Sequence, residues 1–318
     1  MSGTRPPLAS HRRPGSGYNH RPMRPDIYFV YLLLRLVGCL PLRWLHALGS
    51  ALGWLSFHLA RRSRRVVATN LRIARPQLQG PELQRQTLLA MQETCKSGTE
   101  LAKIWGRGPE VALKLVREVC GQDLLDEALA SGKGVIIAAP HHGCWELLNF
   151  WVAARSRLAI LYRPPRIAAL EQLLRKARGP GAPEQIRADA GGVRTLYRWL
   201  SGGGAAGVLP DQKPRAGEGQ FAPFFSREAL TMVLLPRVAQ RTGSRVLYGF
   251  VERLPAGQGY RVHFLPAAPE IFSPDIKTAC TALNRGVEAC VEVAFSQYQW
   301  HYKRFSLSPT PGEPSPYR

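Results

Sequence analysis

Short apolar runs that alternate with longer amphipathic stretches are the feature that most constrains the fold of this chain. The clearest run, residues 135–139, follows two glycines and predicts a buried strand. Further strands are predicted at residues 158–162, 207–209, 246–251 and 260–265. Helices are predicted at residues 109–130, 146–155, 167–178, 193–200, 230–241 and 275–298. This alternation predicts an α/β fold, in which helices flank a central, mostly parallel sheet.

Residues 27–60 are the most apolar part of the chain, but Arg35 and Pro41 interrupt them. A helix that crosses a membrane needs about 20 consecutive apolar residues. We therefore expect a re-entrant or surface-lying pair of helices. Arginines flank the segment at residues 21–24 and 61–65, and such flanks favour the cytoplasmic side of a membrane. An ordinary buried helix pair is the alternative.

Changes in composition divide the chain into four regions. Residues 1–26 are rich in Arg, Pro, Gly and Ser, which predicts a disordered basic tail. We expect a membrane-associated helical segment at residues 27–65 and the α/β domain at residues 66–305. Residues 306–318 are expected to form a flexible C-terminal tail.

The chain is strongly basic, with 43 Lys and Arg residues against 22 acidic residues and a net charge of +21. Such a charge attracts polyanions, namely nucleic acid, anionic lipid or an acidic carrier protein. The sequence has no helix-turn-helix, zinc-finger or aromatic–basic RNA motif, and its charge lies beside the apolar segment. A membrane partner is therefore favoured, with a nucleic-acid-binding protein as the rival. Six scattered cysteines form no CxxC pair, so no metal site is predicted.

The segment from residue 140 to residue 146 carries the candidate chemistry. His141 and Glu146 are five residues apart, which on one helix is a rotation of about 140°. A turn at Gly143 would nevertheless let the two side chains meet. A carboxylate on one imidazole nitrogen leaves the other nitrogen free to act as a base toward an alcohol, without a metal or a serine nucleophile. His142 is an alternative base without an acidic partner at that spacing, and Cys144 is an alternative nucleophile.

This segment resembles the His-x4-Asp/Glu motif of glycerolipid acyltransferases. It resembles more closely the bacterial lipid A late acyltransferases, the lauroyl and myristoyl transferases of lipopolysaccharide biosynthesis. The other segments that carry the resemblance are Asn70-Leu71, Tyr162-Arg163-Pro164, Arg178, Pro210-Asp211-Gln212, residues 221–225 and residues 297–305. Together they cover residues 28–305. Cys144 and Ser226 depart from the family pattern, which usually has Asn and Gly there.

The resemblance implies an acyltransferase that moves a fatty acyl group from a thioester to a lipid hydroxyl. The donor would be acyl carrier protein or coenzyme A, and the acceptor a lipid A precursor. His141 would act as the general base and Glu146 would orient it. Arg178 would stabilise the oxyanion, and Arg163 would hold an acceptor phosphate. No cofactor is expected. The alternative acceptors are an aminolipid, a glycolipid and a lysophospholipid.

Several further residues are candidates for substrate binding. These are Asp211, Gln212, Tyr298, Trp300, Lys303 and Arg304. Asp211 could orient a neighbouring basic group or cap a turn, and the C-terminal four could form an amphipathic lip over the site or simply pack. Acyl carrier protein, the acceptor lipid and inner-membrane phospholipid are the expected partners, at the cytoplasmic face of the inner membrane.

Overall fold

A central sheet organises the protein, whose computed structural model describes residues 24–162, 171, 173, 183–215 and 217–317. The strands of this sheet are β1 (Val116–Cys120), β2 (Val135–Ala138), β3 (Leu158–Tyr162), β4 (Glu184–Arg187), β5 (Ala205–Val208), β8 (Arg245–Arg253) and β9 (Tyr260–Pro266). Their order is β1-β9-β8-β2-β5-β3-β4. Neighbours run parallel except β8 and β9, which are antiparallel. A separate antiparallel hairpin consists of β6 (Gly219–Phe224) and β7 (Arg227–Met232).

Helices cover both faces of the sheet. Those in the described part of the chain are α1 (Pro25–Val37), α2 (Leu42–Leu59), α3 (Arg61–Ala74), α4 (Gly80–Arg107), α5 (Pro109–Leu113), α6 (Gln122–Ala130), α7 (Trp145–Ala153), α8 (Ala190–Ser201), α9 (Leu234–Thr242) and α10 (Ile276–Val293). One core cluster contains side chains of α8, α9 and α10, and the other contains side chains of α6 and α7. The predicted α/β fold with a mostly parallel sheet is therefore confirmed.

The prediction of a single helix over residues 109–130 is wrong. Residues 116–120 form the edge strand β1, which pairs in parallel with β9. Two of these residues are charged and only part of the strand is shielded from solvent, so it lacks the apolar run by which a buried strand is recognised. Gly121 then turns the chain into α6 with φ of +73°, a conformation that favours glycine.

Two other predicted helices have different bounds in the structure. Residues 230–232 belong to β7, because Leu230 and Thr231 pair with Phe221 and Gln220 in the hairpin, and α9 begins only at Leu234. Helix α10 ends at residue 293, and its cap is Asp275, whose Oδ2 accepts a hydrogen bond of 2.9 Å from Thr278 N. The predicted helix over 167–178 lies outside the described residues, apart from positions 171 and 173.

The N-terminal helices α1 and α2 expose a broad apolar surface. Helix α2 lies against α4 so closely that a Cβ at Gly53 would be 2.3 Å from the Cα of Gln92. The exposed apolar side chains of the pair include Phe29, Leu33, Leu36, Trp44, Leu48, Leu52, Trp54, Leu55 and Leu59. Among the described residues no single helix is long and apolar enough to cross a membrane; α1 and α2, bent by 113°, pass that test only as a pair.

Candidate active site

His141 and Asp211 meet at the carboxyl edge of the sheet. His141 follows β2, and Asp211 follows β5, which is the strand paired with β2. The His141 backbone N–H donates to Asp211 Oδ2 at 2.9 Å, and the ring Nδ1 lies 2.8 Å from Oδ1. Because the carboxyl ends of parallel strands meet at one edge, two residues far apart in sequence form a pair in space.

The buried Asp211 carboxylate is held in its ionised form. Burial acts to raise its pKa, but attraction to His141 and the hydrogen bonds from His141 outweigh it, so the pKa lies below the ordinary value. An ionised carboxylate accepts a hydrogen bond from the protonated Nδ1, which leaves the lone pair on Nε2 of His141 available. The amide nitrogen of Gln212 lies 3.4 Å from that Nε2 and donates to Gln299 Oε1 at 3.0 Å.

The carboxylate on His141 Nδ1 thus differs from the one that the sequence spacing suggests. Glu146 lies in the first turn of α7 and is buried, with its Oε2 accepting from the Trp105 indole at 3.4 Å. Asp211 contacts a basic group, His141, as one of its two alternatives supposes, and its role in orienting that group stays a prediction. An orienting role for Glu146 stays a prediction.

Two other residues of the same segment, His142 and Cys144, are packed into the core. Burial lowers the pKa of His142 to about 3, its Nε2 lies 3.1 Å from the Ala294 carbonyl, and its ring stacks on Phe250 with centroids 4.7 Å apart. An imidazole with so low a pKa is a weak base, and the enclosed ring is poorly placed to reach a substrate. Burial also raises the pKa of the Cys144 thiol well above its ordinary value, so this sulfur stays protonated and is a poor nucleophile.

The loop that carries His141 is fixed by hydrogen bonds to β8 and to the C-terminal segment. Gly143 has φ of +59°, and a Cβ there would lie 1.8 Å from the Val251 carbonyl oxygen. The Cys144 N–H donates to that same oxygen at 2.8 Å, and the Gly143 N–H donates to Gln297 O at 3.1 Å. Only glycine fits this close approach of two backbones.

A buried ion pair that the sequence reasoning missed supports the same loop. Arg253 Nη2 donates to the Gly143 carbonyl at 2.8 Å, while Nη2 and Nε contact the two oxygens of Glu100 at 2.8 and 2.9 Å. Tyr260 donates to Glu100 at 3.0 Å, and His46 of α2 lies 3.4 Å from the same oxygen. Burial favours the protonated acid, yet Arg253 and His46 lower the pKa of Glu100 to about 2. The sequence signal that could have identified this ion pair is a charged residue at the end of an apolar strand.

A cavity of about 1010 Å³ extends from His141 between the sheet and helices α8 and α9. His141, Trp145 and Gln212 line one part of it. The apolar lining includes Ile160, Leu161, Val193, Val208, Leu209 and Leu234, and the basic side chains are Lys213, Arg215 and Arg237. Its size and its predominantly apolar surface suit a long apolar substrate with a polar head.

The C-terminal candidates lie mainly in the interior. Tyr298, Trp300 and Arg304 are buried, and Lys303 is half-buried. Arg304 donates to the Leu230 carbonyl at 2.6 Å and to a neighbouring threonine hydroxyl at 3.0 Å. These positions fit the packing alternative rather than a lip, and a direct contact with substrate stays a prediction. Arg163 and Arg178 lie outside the described residues.

Asn70, one of the residues that carry the family resemblance, holds the C-terminal segment in place. Its Nδ2 donates to the carbonyls of Trp300 at 2.6 Å and Tyr302 at 2.8 Å. The Tyr317 hydroxyl donates to Asn70 Oδ1 at 2.5 Å, and accepts from Phe305 N at 3.1 Å. The region after residue 305 therefore contacts the core at Tyr317.

A histidine–carboxylate pair at the edge of a parallel sheet, beside a large cavity, is an arrangement that suits general-base chemistry on an apolar substrate. Comparison with known proteins assigns the class more closely. Residues 20–306 match the family described as bacterial lipid A biosynthesis acyltransferase, and the chain belongs to this family. The protein is an acyltransferase, as the resemblance of its motifs predicted.

Characterised relatives span almost the whole chain. The chain is 26% identical over 304 residues to the lipid A biosynthesis lauroyltransferase of Escherichia coli K12, covering 93% of this chain and 96% of the relative. It is 25% identical over 279 residues to the palmitoleoyltransferase of the same organism, covering 87% and 90%. A phosphatidylinositol mannoside acyltransferase of Mycobacterium tuberculosis H37Rv is 41% identical over 46 residues, which is 14% of this chain and 15% of the relative.

Proposed function

We propose that this protein transfers a fatty acyl group from a thioester of acyl carrier protein, or of coenzyme A, to a hydroxyl of a lipid A precursor. The observation that carries the proposal is the His141–Asp211 pair at the end of a large apolar cavity. The names of the long relatives, which are lipid A biosynthesis transferases, support the acceptor class. The acidic carrier would suit a chain with a net charge of +21.

In the proposed mechanism, Nε2 of His141 takes the proton from the acceptor hydroxyl as its oxygen attacks the thioester carbonyl. The tetrahedral intermediate then collapses, the new C–O ester bond remains and the C–S bond breaks. The imidazolium returns its proton to the departing thiolate. Asp211 keeps the other ring nitrogen protonated and stabilises the positive imidazole. No acyl-enzyme is formed, which agrees with the buried, protonated Cys144.

The other predicted residues would stabilise developing charge or hold the base and the substrates in position. The developing oxyanion needs a donor, for which Arg178 stays our candidate, and the Gln212 amide near Nε2 could supply a second one. Glu146 would help to orient the base, and Arg163 would hold an acceptor phosphate.

Helices α1 and α2 would hold the enzyme on the cytoplasmic face of the inner membrane. Their exposed apolar side chains would insert into the bilayer, and the exposed Arg61, Arg62 and Arg65 next to them would contact anionic phospholipid. The reaction calls for this location, since an acceptor lipid leaves the bilayer only at high cost whereas the acyl carrier is soluble. The base must work at the boundary between the two.

The decisive experiment compares His141→Ala, Asp211→Asn and Glu146→Gln in the full-length protein, with an acyl-carrier donor and a detergent-dispersed lipid A precursor. Loss of the base or of its orienting carboxylate should lower turnover by about 10²–10⁴-fold. Cys144→Ser is the matched control and should remain active. Circular dichroism reports folding. A folded His141→Ala protein with near-wild-type turnover would contradict the mechanism, and the Asp211 and Glu146 variants identify which carboxylate orients the base.

A glycolipid acceptor is a second candidate, favoured by the short local match to the mannoside acyltransferase. Mass spectrometry of lipid A and of total lipid from a deletion strain separates the two. Loss of one acyl chain from lipid A supports the first proposal. An unchanged lipid A with a missing acylated glycolipid supports the second.

A further inference from the structure

The cavity shares a wall with a shallower groove on the outside of the protein. That groove lies between α8 and α9, and its lining includes Arg194, Arg198, Arg241 and Ser201. Val193 and Tyr197 line both spaces. They are four residues apart on α8 and therefore lie on one face of that helix. This face separates the interior space from the outer one.

The ring of Tyr197 is held in this wall from the neighbouring helix. The guanidinium of Arg241 on α9 lies 5.3 Å from the ring centroid, within the range of a cation–π contact. The ring is half-buried and packs against the core cluster of α8, α9 and α10. Tyr197 is therefore a fixed barrier rather than a free surface side chain.

The two sides of this barrier differ in chemistry. On the inner side Ile160, Val208 and Leu234 offer contacts that suit the methylene groups of an acyl chain. On the outer side Arg194 and Arg198 are exposed, and a methylene group gains nothing by lying among solvated cations. An acyl chain that extended from the interior toward α8 would have to displace the tyrosine ring.

We propose that Tyr197 ends the acyl-chain part of the cavity and so sets the longest donor chain that the enzyme transfers efficiently. The inference rests on the proposed function, in which this cavity holds the acyl group of the donor. Tyr197 is a specificity-determining residue: it touches the far end of the chain and not the reacting atoms at His141.

The test is the length profile of kcat/KM, measured with a series of saturated acyl donors that differ by two carbons. Tyr197→Ala vacates the space of the ring beside the apolar lining, so donors just long enough to fill that space should gain relative to the wild-type optimum. The gain should be at most about fourfold for each methylene that finds apolar contact. Tyr197→Phe keeps the ring and should keep the optimum, and Tyr197→Trp should shift the optimum toward shorter donors.

The ratio of kcat/KM between two donors, measured on the same protein, does not change when part of the enzyme is unfolded. Ser201→Ala, which changes only the outer groove, is the matched control and should keep the wild-type profile. If Tyr197→Ala and Tyr197→Trp are both active with the wild-type optimum, the inference is wrong. Ile160→Trp tests the proposed function separately, because a large ring in the cavity must shorten the profile if the acyl chain lies there. An unchanged profile in that variant would refute the proposed acyl site itself.

Discussion

Replacing Arg253 by methionine should destabilise the protein in a strongly pH-dependent way. Arg253, together with His46, holds the pKa of the fully buried Glu100 at about 2, against an ordinary value of 4.5. Since one pKa unit corresponds to about 1.4 kcal/mol, the ionised Glu100 and its two basic neighbours contribute about 3 kcal/mol at neutral pH. This agrees with the cost of about 3–5 kcal/mol for removing one partner of a buried ion pair.

The sign of the pH dependence follows from the carboxyl group. In the native protein the lowered pKa of Glu100 gives stability that is present above the unfolded value and is lost as the pH falls toward 2. Without Arg253 the buried carboxyl should prefer its protonated form, so the variant's deficit should be smallest near pH 2 and should grow as the pH rises toward 7. Glu100→Gln combined with Arg253→Met should recover part of the loss at pH 7.

Urea unfolding in a fixed detergent, at several pH values, measures these differences. Arg261→Met is a matched control, because Arg261 pairs with Glu118 and Glu252 but is 31% exposed, and such pairs contribute at most about 1 kcal/mol. If the double variant is less stable than Arg253→Met alone, or if the deficit does not depend on pH, the reasoning about this pair fails.

Two further predictions concern the catalytic loop and the apolar helices. Gly143→Ala should cost about 1–3 kcal/mol of stability and most of the turnover, because its Cβ would collide with the Val251 carbonyl at 1.8 Å and move His141. Thermal unfolding measures the loss of stability, and kcat measures the loss of turnover. Wild-type values of both would contradict the close approach of the two backbones. Trp44→Glu with Leu48→Glu should release the protein from phosphatidylglycerol vesicles in a flotation assay while leaving its circular dichroism unchanged, because both side chains are exposed on α2. Phe272 is exposed on another part of the protein, so Phe272→Glu is the control and should still float with the vesicles. Release of that control variant would argue against a membrane role for α2.

The sequence was sufficient to place the candidate base at the end of a strand, but not to identify the carboxylate that contacts it. His141 follows an uninterrupted apolar run flanked by glycines, so its place at the end of a strand could be predicted. Its carboxylate, Asp211, is 70 residues away, and spacing arguments favour a near neighbour such as Glu146. Asp211 was found only as part of a family motif, which identified the residue without its contact.

The same limit explains the other differences between prediction and structure. The Glu100–Arg253 pair joins positions 153 residues apart, and no local pattern reports such a contact. Strand β1 was predicted as helix because it is an edge strand with exposed charged residues. It lacks the continuous apolar run that marks a strand buried on both faces. Local patterns predicted the elements that bury their own apolar residues, whereas tertiary contacts decided the rest.

The loop that carries His141 is held by hydrogen bonds to distant parts of the chain, so the candidate site can form only late in the synthesis of the protein. Gly143 depends on Val251 and Gln297, and Asn70 depends on Trp300 and Tyr317, so the loop acquires its supports only when nearly the whole chain has been translated. Helices α1 and α2 leave the ribosome long before that. A ribosome adds about 5–20 residues per second, so the apolar helices are available for many seconds before the base is in place. A truncated translation product would therefore carry the apolar surface without a working site.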